Sequence, residues 1–141
     1  MSKLGLAISI TSKLFEDTTD KGGNPYILHC LRVMEGVKHL GELAMICAVL
    51  HDVMEDSNDY SWTDIDALFG SEVVVILQLL THRKETDYMV YIKALSVHPI
   101  AKAIKKADLI DNSNITRLKG LRQKDFNRLE KYFRAYEYLN D

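Results

Sequence analysis

Apolar residues recur along this chain at helical spacing, and the strict alternation of a half-buried strand is absent. Leu4, Ile8, Leu14 and Phe15 mark a first amphipathic helix. Asp20-Lys21-Gly22-Gly23-Asn24 interrupts it as a loop, because glycines and Asn/Asp break regular structure. Pro25 suits the first turn of the next helix, where its missing N–H costs nothing. That helix carries Ile27, Leu28, Leu31, Val33, Met34 and Val37 and is predicted to end near Gly41. A third helix, from about Glu42 to Glu55, is apolar around most of its circumference, the mark of a central core helix. Ser57-Asn58-Asp59 reads as a loop. Ser61 and Thr63 are candidate N-caps for a short helix through Phe69 that Gly70 ends. Ser71 and Asp87 are candidate caps for two more helices, Glu72 to about Thr81 and on through Leu95. Pro99 opens a helix predicted to run to about Leu118, with Gly120 as its breaker. Asp125 to Leu139 reads as a last amphipathic helix with Phe126, Leu129, Tyr132, Phe133, Tyr136 and Leu139 on one face. The pattern predicts an all-α bundle.

A length of 141 residues fits one domain, and no internal repeat or linker divides it, so residues 1–141 are expected to form a single unit. An apolar content of 47% supplies a proper core. The net charge of -2 gives no basic footprint for nucleic acid or an anionic membrane. A phosphate-bearing ligand would have to be held by local groups. Cys30 and Cys47 both lie in apolar helical runs and read as buried thiols of a reducing compartment. No charged segment leads into a long apolar run at the N-terminus, so no signal peptide is expected. No uncharged apolar stretch reaches the roughly 18 residues of a membrane span. A cytoplasmic location follows as the expectation.

The chemistry gathers around His51-Asp52, which ends the apolar run Leu43–Leu50 and is followed at once by Glu55-Asp56. Residues three or four apart share a helix face. His51 and Asp52 are so related to Glu55, His29 to Arg32, and Asp108 to Asn112. Each pair rises from an apolar setting, where an unsatisfied polar group costs several kcal/mol. Singly, each has an ordinary reading: a solvated surface pair, a core histidine, a carboxylate beside Lys105 and Lys106, or a salt bridge at Arg32. Their convergence on one site explains all of them together. His29, His51, Asp52 and Asp108 would then be metal ligands. A nitrogen and oxygen set without thiolate argues against structural zinc and suits Mn²⁺, Fe²⁺ or Mg²⁺, with Zn²⁺ also open. Glu55 and Asp56 are the candidate catalytic carboxylates, orienting a water or taking its proton. His39, His82 and His98 lack comparable partners and read as surface or packing residues.

Three segments then match a known pattern. Gly23-Asn24-Pro25-Tyr26-Ile27-Leu28-His29 resembles the G-x-P-Y-x-x-H segment of the RelA/SpoT-type hydrolase domains, within the HD-domain phosphohydrolase superfamily. Ala48–Ser57 resembles their A-x-L-H-D-x-x-E-D-T segment, and Ile104–Asn112 their K-x-A-D-x-x-x-N segment. The likeness runs from about Ser9 to Leu121 and is closest to the small stand-alone alarmone hydrolases. It implies an all-α HD-domain helical bundle. It implies Mn²⁺-dependent removal of the 3′-pyrophosphate from guanosine tetra- and pentaphosphate. It implies His29, His51, Asp52 and Asp108 as metal ligands, Glu55 and Asp56 as catalytic carboxylates, and Asn112 beside the nucleotide.

The chain departs from that pattern where relatives read the base. Asp20-Lys21 stands where they carry an Arg-Lys pair, so guanidinium stacking is lost while Lys21 can still meet a phosphate. Arg32 is a further candidate for substrate contact. Asn114-Ile115 replaces an Arg-Thr pair, with Thr116 and Arg117 slightly later, and Phe15 replaces a histidine. Altered base recognition is therefore expected beside intact metal chemistry. Two alternatives stay open: the same chemistry on another nucleotide or phosphoester, and a non-catalytic module that senses a nucleotide. The aromatic face with Tyr132, Phe133, Tyr136 and Tyr138 would pack on the protein's own core or on a second copy in a homodimer.

Overall fold

Residues 2–140 are described by a computed structural model of the chain. The helices follow in order as α1 (Lys3–Leu14), α2 (Tyr26–Gly36), α3 (Glu42–Val49), the single turn α4 (Val53–Asp56), α5 (Trp62–Phe69), α6 (Ser71–Leu80), α7 (Tyr88–Leu95), α8 (Pro99–Asn112) and α9 (Gln123–Leu139). No strand forms among the described residues; Thr19 and Pro25 make one isolated bridge. None of the helices there is long and apolar enough to cross a membrane.

The bundle is built around α3. Ala44, Ile46, Cys47, Ala48 and Val49 are buried on it, and α1, α2, α6 and α8 pack against it. Small residues on α3 let four helices approach closely, and larger side chains from them fill the core: Val33, Ile76, Leu77, Ile104 and Leu109. Thr11, buried on α1, donates its hydroxyl to the Val49 carbonyl at 3.1 Å, satisfying a carbonyl that the end of α3 leaves free. Both cysteines are free and buried.

The turns follow their residues. Ser61 accepts from the Asp64 N–H while Asp64 reaches back to the Ser61 N–H, a reciprocal capping box at α5. Asp87 caps α7 through the Met89 N–H. His98 accepts from the Ile100 N–H ahead of Pro99 at the start of α8.

Several elements differ from the sequence reading. The third helix is not continuous to Glu55: it ends at Val49, and Leu50–Asp52 form a turn before α4. Leu50 and Val53 are fully buried on either side of the break, so the apolar pattern runs through it unmarked. α2 stops at Gly36 and not near Gly41. Val37 is buried in the following turn, which extends the apolar periodicity past the helix. α8 ends at Asn112, short of Leu118, because Asn114 accepts from both the N–H and the hydroxyl of Thr116 and draws the backbone into a separate turn. Gly70, not Ser71, holds the capping position of α6. On α9 the aromatic residues do not share one face. Ala135 and Leu139 are buried, with Tyr132 and Tyr136 against the core, whereas Phe126 is 50% and Phe133 is 62% exposed. Those two phenylalanines are seven residues apart, and at about 100° per residue they lie well around the helix from Leu139.

The Leu50 side chain, at 0% exposure in the turn before the candidate site, is held by packing. Leu50→Ala is expected to lower unfolding free energy by about 2–5 kcal/mol, read from chemical denaturation.

Candidate metal centre

Three elements deliver polar side chains to one point. α2 contributes Tyr26 and His29, the turn after α3 contributes His51 and Asp52, and α8 contributes Lys105, Asp108, Asp111 and Asn112. Interrupting the long apolar helix is what makes this work. The break lets His51 and Asp52, neighbours in sequence, aim at the same place: His51 Nε2 lies 3.0 Å from Asp52 Oδ2. Asp108 Oδ1 stands 3.2 Å from His51 Nε2 and 3.0 Å from His29 Nε2. Asp52 Oδ2 is 3.7 Å from His29 Nε2. The ligand atoms of His29, His51 and Asp108 all lie within 4.8 Å of one another.

The far side of each group fixes what its near side can do. His51 Nδ1 is 2.6 Å from the Ala48 carbonyl, which can only accept, so Nδ1 carries the proton. His29 Nδ1 is 2.6 Å from Asp111 Oδ2 and donates to it for the same reason. Both Nε2 atoms then point lone pairs at Asp52 and Asp108, and His29 Nε2 is buried with no hydrogen-bond partner. The carboxylates are held likewise. Tyr26 donates its hydroxyl to Asp52, Lys105 donates to Asp108 Oδ2 at 2.9 Å, and Asn112 donates to Asp108 Oδ1 at 3.0 Å. Two neutral imidazoles and two carboxylates with unshared pairs on one point need a cation among them. A divalent ion fits this set, and the imidazole tautomers are the ones a metal requires.

Without a metal, protons on the Nε2 atoms supply that positive charge. Burial alone would depress the His51 imidazolium, but Asp52 and Asp108 overcome it and raise its pKa well above the ordinary value. His29 is raised against burial by Asp108 and Asp111. Burial would also raise Asp108, yet Lys105 and His51 hold it well below the carboxylate range. The pocket is thus tuned to keep carboxylates ionised and to hold positive charge. Glu55 behaves oppositely: burial, then the charge of Asp52, pushes its carboxyl up to about 7.

Glu55 and Asp56 part company. Glu55 lines the cavity of about 230 Å³ over the cluster, beside Asp52, Lys105, Asp108, Asn112 and four tyrosines. Asp56, exposed like Glu55, lies at the end of α4 outside that lining; its carboxyl is raised by partial burial and by Asp52. Tyr26, Asn112 and Tyr132 also line an adjoining cavity of about 240 Å³ that carries Lys21, Asp20, Arg117 and Arg128. Lys21 and Asn112 therefore stand along one trough. Arg32 does not: its guanidinium grips Asp111, with Nε 2.6 Å from Oδ1, on the other flank of α8.

Asp20 is also engaged. Its Oδ1 accepts from the Gly22 and Asn24 N–H groups at 2.9 Å, and its Oδ2 accepts from Arg117 Nη2 at 3.0 Å. Arg117 Nη1 donates in turn to the Asp111 carbonyl, the Asp111 carboxylate and Asn112. Burial would raise Asp111, but the hydrogen bonds from His29 and Arg32 outweigh it and hold the carboxyl at about 2.

The family model for the HD domain matches residues 7–111. The chain belongs to the HD-domain family. This HD domain is similar to the guanosine-3′,5′-bis(diphosphate) 3′-pyrophosphohydrolase of Aquifex aeolicus (strain VF5), 30% identical over 102 residues, covering 65% of this chain and 14% of that protein. It is 35% identical over 69 residues to guanosine-3′,5′-bis(diphosphate) 3′-pyrophosphohydrolase MESH1 of Danio rerio, covering 46% of this chain and 38% of that protein. The HD domain thus spans a minor part of the length of these relatives. A solved structure of a metazoan ortholog of SpoT, described as hydrolysing ppGpp, superposes with a TM-score of 0.81 over 99% of this chain and 85% of that one, at 22% identity. That likeness is one of fold.

Sequence reasoning missed Asp111, Lys105, Tyr26 and His82. Asp111 and Tyr26 sit inside the recognised segments, and the i, i+3 spacing of Lys105 and Asp108 was available as a signal. His82, read as a surface or packing residue, stacks on Tyr91 at 4.8 Å but also lines the cavity. Nothing local marks it, because its role arises from the fold.

Asp111→Ala removes the partner that sets the His29 tautomer. Affinity for Mn²⁺, measured by calorimetry, is expected to fall about 10–100-fold while the helical spectrum is kept. In metal-free protein the Glu55 carboxyl should titrate near pH 7 by ¹³C NMR, and Asp52→Asn should move the midpoint down towards 4.5. Because the raised value favours the protonated form, Glu55 subtracts stability as pH climbs from 4.5 through about 7.

Proposed function

We propose that this chain is one metal-dependent phosphohydrolase domain that removes the 3′-pyrophosphate from guanosine tetra- or pentaphosphate, with Mn²⁺ as its cation. The observation that carries the reading is the convergence of His29, His51, Asp52 and Asp108 beneath a cavity whose wall holds Glu55. The activities of the relatives named above support it.

A divalent ion in this donor set supplies Lewis acidity to a phosphoryl oxygen and acidifies a water. The remaining work falls to the chain. Glu55, with a carboxyl poised near neutrality, takes the proton of the attacking water. The water oxygen bonds to the phosphorus on the ribose 3′ oxygen, that P–O bond breaks, and the proton is returned to the 3′ oxygen. Lys105 stays charged, because Asp108 outweighs its burial, and offsets the phosphate charge from the cavity wall. Lys21 and Asn112 hold the nucleotide along the trough, and Asp56, outside the lining, acts only through its charge beside Asp52.

A second reading keeps the chemistry and changes the nucleotide or phosphoester. Asp20 motivates it: its carboxylate is consumed by Arg117 and two backbone N–H groups, so the arginine-for-base contact of the relatives has no equivalent there. A panel of nucleotides with Mn²⁺ separates the two. The first reading expects guanosine tetraphosphate as best substrate with pyrophosphate released, and a clearly better alternative would overturn it. Binding without turnover in any metal would leave only a sensing role. Glu55→Gln is expected to lower kcat by about 10²–10⁴-fold with Mn²⁺ affinity kept; full activity in this variant would remove Glu55 from its role.

A further inference from the structure

α8 shows the catalytic cavity Lys105, Asp108 and Asn112. On its opposite flank a groove of about 490 Å³ opens between α8 and α2, lined by none of these residues. Arg32, Lys102 and Lys106 stand along this groove, over a floor that includes Ala103, Ala107 and Ile110.

Arg32 is paired with Asp111, but the charges of Lys102 and Lys106 are not neutralised by any carboxylate among the described residues. Lys102 and Lys106 are one turn apart on α8, a like-charged i, i+4 pair that destabilises a helix. Neither forms an ion pair among the described residues. The one carboxylate in the lining, Asp111, is already shared by His29, Arg32 and Arg117. On a chain of net charge -2, this groove is a local excess of positive charge.

Its shape is as specific as its charge. Gly36 brings α2 so close that a Cβ there would stand 3.1 Å from that of Ala107, which leaves a smooth apolar floor. Ile110 is 58% exposed on that floor. Tyr136 of α9 lines the groove as well, and Lys106 Nζ lies 5.9 Å from its ring centroid. Cations beside a flat apolar floor and an aromatic wall fit a ligand with phosphates at one end and a ring at the other.

We propose that this groove is a second ligand site, for a nucleotide-sized phosphorylated ring compound. Its phosphates meet Lys102 and Lys106, and its ring lies over Ala103 and Ala107 against Tyr136. The site is distinct from the metal centre and does not depend on the hydrolase reading.

The test is ¹H–¹⁵N NMR of the metal-free full chain titrated with GDP and, separately, with inorganic pyrophosphate. GDP is expected to shift the amides of Ala103, Lys106, Ala107 and Ile110 saturably, apart from any shifts at Lys21 and Asn112. Pyrophosphate, lacking the ring, should bind the groove about tenfold more weakly. Lys102→Glu with Lys106→Glu should erase the groove shifts, and Lys102→Ala with Lys106→Ala should weaken them about tenfold or more. Both variants should keep wild-type dichroism and wild-type turnover of any phosphoester the protein hydrolyses. Groove amides that stay still at millimolar GDP, or that shift equally in the alanine variant, would overturn the proposal. Absence of turnover in wild-type protein would count against the hydrolase reading alone.

Discussion

The attraction that a cation would exert on four inward-facing ligand atoms is the constraint to which this fold answers. In an apolar interior, two imidazole lone pairs facing two carboxylates repel unless positive charge sits among them, and burial magnifies that repulsion. Each neighbouring feature reduces the problem. The Ala48 carbonyl and Asp111 assign the imidazole protons to the far nitrogens. Tyr26, Lys105 and Asn112 occupy the spare carboxylate valences. Helix α3 gives up its last turns so that His51 and Asp52 can share a focus. The core pays for this with a buried turn, and Leu50 and Val53 at 0% exposure repair the packing on both sides of it.

Around that focus the charge is graded. Asp52 and Asp108 dominate the base of the cavity, Glu55 stands at its wall, and Lys105 lies over the rings of Tyr88 and Tyr91. Further along the trough come Lys21 and Arg128. A phosphorylated ligand would therefore meet ordered positive charge without any overall basic field, which matches the nearly balanced composition of the chain.

Much of this was legible in the sequence, for physical reasons that differ by residue. The all-α class showed itself because helical periodicity survives in every segment. His29, His51, Asp52 and Asp108 stood out as polar groups within apolar runs, and the structure brings those four together. The break after Val49 was hidden because Leu50 and Val53 keep the apolar pattern intact across it. The end of α8 was hidden because a side-chain cap at Asn114, not a glycine or proline, terminates it. Asp111 was hidden because a carboxylate three residues after Asp108 looks like an ordinary solvated helix face until His29 and two arginines close on it. Arg32, drawn into the site by its spacing from His29, is turned away by that same Asp111.

The tie between Asp20 and Arg117 makes two distant departures from the relatives into one. The loop and the turn interlock further at Gly22, where a Cβ would fall 1.6 Å from the Arg117 carbonyl oxygen. An arginine at position 20 alone would set two guanidinium groups against each other, because the Asp20 carboxylate faces Arg117 Nη2 at 3.0 Å. Positions 20 and 117 thus act as one unit that clamps the loop before α2 to the turn after α8, so the floor of the trough is set by a pair and not by either residue alone.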